Sequence, residues 1–179
     1  ITFGCIAGGQ FMLNIASPEG FQLFILISIL ISVAVIPILI SINRAPPFET
    51  NESVSIIQLI KVSPLGVLGT FASGTGAGAI MGMGAVYAFS IGLNTKEISI
   101  FMGSLIIGGG LMQYPIGRLS DNFGRRQVII ATCFIGAVSS LGASLFDASG
   151  LLIFLQIAII GGLSLPLYPL CTTHTNDYL

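Results

Sequence analysis

Long apolar runs, each ended by a few polar or turn-forming residues, repeat along the 179 residues of the chain. They do not alternate with period two, so they predict membrane-crossing helices and not the strands of a barrel. A span needs about 20 residues, because about 30 Å of hydrocarbon is crossed at about 1.5 Å per residue. The pattern gives five complete spans and one cut short. Residues 1–16 are the outgoing end of the cut span, and "SPEG" turns the chain, with Ser17 placed to cap the next helix and Pro18 at its first position. The complete spans cover about 21–42, 64–91, 97–117, 127–146 and 150–171. Residues 43–63 are the only long polar stretch; their "SVSIIQLIK" reads as a short amphipathic helix on the membrane surface, or else as linker. Asn94, with Glu97 three positions later, has the pattern of a capping box ahead of the 97–117 span.

Composition turns this pattern into a fold class, an all-α polytopic transmembrane helix bundle. Hydrophobic residues make up 54% of the chain and charged residues 7%, where a soluble domain carries about 25% charged residues. Mean hydropathy is +0.99. A net charge of −1 with no run of like charges argues against a nucleic-acid partner. Cys5, Cys133 and Cys171 lie far apart in apolar segments, without metal spacing or a secreted disulfide framework, and read as free thiols. The chain opens at Ile1 in a membrane-like segment without a charged leader region, so no signal peptide is read, and a truncated start is expected.

Charge sets the orientation. If spans alternate, Arg44, Lys61, Arg118, Arg125 and Arg126 fall on one side and only Lys96 on the other. Cationic loops stay in the cytoplasm, so the polar stretch, the 117–126 segment and the C-terminal "HTNDYL" are expected there.

Half of the six basic residues crowd into "GRLSDNFGRR", residues 117–126. This segment resembles the signature of the major facilitator superfamily of secondary transporters: Gly117, Leu119, Asp121, Gly124, Arg125 and Arg126 match it in order and spacing. In that family the motif lies between helices two and three and again between helices eight and nine. Four apolar segments precede it here, and the polar stretch falls two spans upstream, where the family places the linker between its six-helix halves. The resemblance therefore implies the second copy. Residues 1–42 would be the end of the N-terminal half (about helices five and six), 43–63 the cytoplasmic central linker, and 64–179 part of the C-terminal half (about helices seven to ten). The segment "PLYPLCTTHTNDYL" also resembles a bacterial subgroup in which Pro-Leu-Tyr and His-x-Asn-Asp close helix ten.

The resemblance implies that Gly117, Arg118, Leu119, Asp121, Gly124, Arg125 and Arg126 form a conformational latch that holds cytoplasmic helix ends together in the outward-open state. The residue types fit such a task. Gly117 would let the chain leave one helix, and Gly124 would permit a tight backbone at the start of the next. Asp121 would sit near that helix's N-terminus, where backbone N–H groups and the positive dipole end favour a carboxylate, or pair with Arg118 or Arg125. The plainer reading is that the three arginines anchor the segment to anionic lipid and fix topology, which does not call for the Asp and the two Gly.

Other candidates follow from the spans. Gly74, Gly78 and Gly82 repeat every four residues and make a small-residue face, read as tight helix packing ahead of a broken cavity helix. Pro166 and Pro169 cannot donate backbone bonds and are expected to kink their helix near Gly162, a candidate hinge. All seven acids and all six bases lie in loops or at span ends, so a coupling carboxylate at mid-membrane is not in this stretch. Asn14, Tyr87 and Gln156 are the candidate cavity residues. His174 reads as a partner for free helix carbonyls, with a proton switch as the rival.

No nucleophile, base and acid constellation, metal spacing or P-loop is present, so no cofactor and no enzyme activity are expected. The reading is a secondary transporter of a small solute working by alternating access, present as a fragment in a bacterial inner membrane. Its expected partners are that solute, a coupling proton or cation, membrane lipids, and the missing helices of the same transporter. The alternatives are a structural or assembly subunit and a membrane-embedded enzyme.

Overall fold

The computed structural model describes residues 9, 11, 20–40, 55–145 and 150–177. Every regular element among them is helical: α1 (Gln22–Ile40), α2 (Ile56–Val62), α3 (Pro64–Ser90), α4 (Thr95–Phe123), α5 (Arg125–Leu145), α6 (Leu151–Ser164) and α7 (Leu167–Asn176). Four stretches are long and apolar enough to cross a membrane: α3, α4, α5 and the α6–α7 pair, which together run Leu151–Asn176. Apart from residues 9 and 11, the cut first span lies outside the described residues, as do residues 41–42 of the next span and 43–54 of the polar stretch. The short helix expected within that stretch is α2, where the Ser55 backbone N–H donates to the Gln58 side-chain oxygen at 3.0 Å.

Local signals set several helix ends. Asn94 caps α4 reciprocally: its Oδ1 accepts from the Glu97 N–H at 3.0 Å, and its own N–H donates to Glu97 Oε2 at 2.8 Å. Two donors at the exposed start of a helix are thereby satisfied. Asn94→Ala is expected to cost about 1 kcal/mol of stability, measured as a lowered unfolding midpoint followed by circular dichroism. Pro64 starts α3, where its missing N–H removes no helical bond.

The α4 helix is the centre of the bundle. It packs along α6 and also touches α3 and α5, while α3 lies against α7. Three small cores follow its length. One joins Ala88, Phe101 and Met102; the next centres on Leu105 and Ile106, with Ile80, Ile157 and Leu165 against them; the third joins Ile116, Val128, Ile129, Leu170 and Cys171 near the arginines. Outward-facing apolar side chains are abundant: Phe71, Phe89, Phe134 and Leu145 are all at least 70% exposed. A soluble domain rarely leaves such surface in water, whereas acyl chains solvate it in a bilayer.

Where α4 crosses α6, the backbones meet through glycine. A Cβ on Gly108 would overlap the Ala158 carbonyl, and a Cβ on Gly161 would overlap the Leu105 carbonyl. Gly109 faces Leu165, and Gly162 faces Met112 Cγ, 2.8 Å from where its own Cβ would stand. Small residues at such a crossing let dispersion and weak polar contacts act at the shortest range, which matters where lipid competes equally for apolar surface. The tight packing expected of Gly74, Gly78 and Gly82 is not found at those positions. Gly78 and Gly82 have open space beside them, and Gly74 only touches Tyr168. On α3 the close approaches are instead at Gly66 and Gly69, against Thr175 and Cys171 of α7.

Candidate functional site

The "GRLSDNFGRR" segment is mostly helix, not loop. The α4 helix continues through Gly117 to Phe123, and only Gly124 separates it from α5. A glycine inside a helix costs about 1 kcal/mol relative to alanine but does not end it. What ends α4 is Gly124, with φ 90° and ψ 134°, a backbone that other residues avoid. Its N–H donates to the Ser120 carbonyl at 3.1 Å, and its carbonyl accepts from Val128 at 3.3 Å. Gly117 is therefore not an exit from the helix. Asp121 lies in the last turn of α4 and not at the start of α5, so it does not meet the positive dipole end there.

Two of the arginines are tethered. Arg125, the first residue of α5, reaches the end of α7: its Nη1 donates to the Thr173 carbonyl at 2.9 Å and pairs with the Asp177 carboxylate. The Arg125 side chain is 25% exposed and that of Asp177 46%. A cation at the end of α7 meets the carbonyls of its last turn and its negative dipole end. Arg118 reaches back one turn, donating to the Tyr114 hydroxyl at 3.4 Å. Among the described residues, then, Arg125 pairs with Asp177 and not with Asp121. Asp121 and Leu119 are exposed.

Asp121 instead lines a cleft of about 240 Å³ between α4 and α7, together with Gln113, Ser120, Arg125, Pro166 and Thr173. Ser120 is 2% exposed, and its Oγ has no hydrogen-bond partner. Arg126 is exposed and lines a different cleft, described below. The role of Asp177 and Thr173 was not readable from the motif, since they lie about 50 residues downstream; the hint in the sequence was an acid closing a span on the side that carries the arginines.

The candidate hinge is displaced. The α6 helix ends at Ser164, Leu165 and Pro166 form the break, and α7 resumes at Leu167. Pro166 and Pro169 have no N–H to offer the Gly162 and Leu165 carbonyls, whereas Leu170 restores the pattern by donating to Pro166 at 3.2 Å. Gly162 is buried against α4 as a packing residue. Of the candidate cavity residues, Asn14 lies outside the described residues. Tyr87 is exposed, with its ring 6.3 Å from that of Phe101, and Gln156 is half-buried on α6. Neither lines either cleft.

Curated relatives match the sequence along nearly the whole length of the chain. An uncharacterized MFS-type transporter, YcaD, of Escherichia fergusonii is 28% identical over 178 residues, covering 96% of this chain and 46% of its own length. Its namesake in Escherichia coli is 29% identical over 163 residues, covering 90% of this chain and 42% of its own length. The chain is similar to these MFS-type transporters over nearly its whole length. It spans about half the length of the curated relatives it matches. No family model and no solved structure matches it. The four apolar spans describe a multi-pass integral membrane protein.

Proposed function

We propose that the chain works as part of a secondary transporter that moves a small solute across a bacterial inner membrane by alternating access. Residues 1–42 would belong to one six-helix half, 43–63 to the cytoplasmic linker, and 64–179 to the other half, with further helices of the same transporter completing the path. The observation that carries this reading is the tie from Arg125 to the Thr173 carbonyl and Asp177, which fastens the signature segment to the end of another span. Because α4, α5 and α7 fall in one proposed half, this tie orders the segment within that half. It leaves the exposed Asp121 at the cleft to meet the opposite half as the latch closes.

The test follows the conformational equilibrium of the intact carrier, read as single-molecule distances between labels on its two cytoplasmic ends. Asp121→Asn is expected to shift the population toward the inward-open state by about 5- to 150-fold, the range of a coupling of about 1–3 kcal/mol. Unchanged populations would remove Asp121 from the latch.

A further inference from the structure

The second cleft at the arginine-rich end has no part in the tie just described. It measures about 310 Å³ and is lined by Val62, Ser63, Pro64, Leu65, Arg126, Ile130 and His174. Four elements converge on it: the end of α2, the start of α3, the first turns of α5 and the end of α7. Arg126 brings a permanent cation. The first turn of the 27-residue α3 brings the positive end of a long helix dipole and the N–H of Leu65, which lines the cleft and precedes the first helical bond from Val67 to the Ser63 carbonyl.

Ser63 is the observation that points to a ligand. It occupies the cap position of α3, yet its side chain makes no capping bond. It is 3% exposed, and its Oγ has no hydrogen-bond partner. A buried hydroxyl left unpaired is unfavourable and calls for an explanation. The hydroxyl lies beside the first turn of α3, 2.8 Å from where a Cβ on Gly66 would stand, without capping it, and so remains available to an outside acceptor. Asp177, the carboxylate at the end of α7, is taken by Arg125 and so does not neutralise Arg126.

We propose that this cleft is a binding site for a phosphate-class anion, held by the Arg126 guanidinium, the Ser63 hydroxyl and the Leu65 N–H at the start of α3. The geometry is that of an anion at a helix N-terminus with one added cation. Its place at the end of the spans, on the side the charge bias puts in the cytoplasm, makes the same chemistry available from a phospholipid headgroup and from free phosphate. The inference rests on the membrane placement of the chain and not on the latch.

The full chain, purified in a zwitterionic detergent, is examined by native mass spectrometry while dioleoylphosphatidylglycerol is added, with dioleoylphosphatidylcholine as the comparison lipid and inorganic phosphate as competitor. One saturable phosphatidylglycerol site is expected that phosphatidylcholine does not fill. Arg126→Gln is expected to weaken it at least about tenfold, and Lys96→Gln, at the other end of the bundle, to leave it unchanged. Displacement by millimolar phosphate would assign the site to the bare oxyanion; resistance to phosphate would assign it to the lipid headgroup. Ser63→Ala guards against a folding artefact, because its hydroxyl has no partner to lose: it should weaken binding several-fold without lowering helicity or the unfolding midpoint. Absence of saturable binding by either probe, or binding by both variants equal to that of the parent chain, overturns the site.

Discussion

Gly161→Ala is expected to destabilise the bundle by about 3 kcal/mol, an overpacking cost at the upper end of the usual range, although alanine is the better helix former by about 1 kcal/mol. The added methyl would overlap the Leu105 carbonyl. A carbonyl belongs to the helix backbone and cannot move aside as a side-chain tip does, so α4 and α6 must separate. Separation opens the Leu105 and Ile106 core with its neighbours Ile157 and Leu165. The contrast is Gly78→Ala on α3, where a Cβ meets nothing within 4 Å; there the propensity gain remains, and a stabilisation of about 0.5–1 kcal/mol is expected. Thermal unfolding in one detergent, followed by circular dichroism, reads both changes. Equal signs for the two variants would contradict the assigned crossing.

Arg125→Gln is expected to cost about 2 kcal/mol, in the range of a hydrogen bond to a charged group, and Asp177→Asn less than about 1 kcal/mol. Arg125 makes both the bond to the Thr173 carbonyl and the pair with Asp177, and its charge suits the end of α7. Asp177 is about half exposed, and its own negative charge lies at the unfavourable end of the helix dipole, so removing it returns part of what the pair provided. Arg125→Lys is expected to recover only part of the loss, because an ammonium cannot span the carbonyl and the carboxylate as the guanidinium fork does. High salt should shrink the Asp177 contribution and spare most of the Arg125 contribution. A double-mutant cycle in the same unfolding assay, run at two ionic strengths, separates these effects.

Much of the fold was legible. Pro64, the Asn94 and Glu97 box and the apolar runs placed α3, α4 and α5 nearly where they stand, because caps and hydrophobic length act locally. The end of α4 was placed too early, since Gly117 and Gly124 look alike in sequence and only the positive φ of Gly124 tells them apart. Glycine was also the weak point in packing. The regular repeat of Gly74, Gly78 and Gly82 looked like a contact face, yet the close approaches are at Gly66, Gly69, Gly108 and Gly161. A repeat shows which residues share a face and not which face meets a neighbour.

By itself the sequence determined that the chain crosses a membrane as helices, that half of its basic residues gather in residues 117–126, and that this segment resembles a transporter signature. Each is a property of composition or of residues close in sequence. Only the tertiary structure decided that Arg125 holds the end of α7 while Asp121 stays exposed, that α4 and α6 touch through glycine, and that Ser63, Arg126 and His174 border one cleft. Those pairings join residues about 50 to 110 positions apart, and they exist because helices packed side by side bring distant backbone ends to the same membrane face.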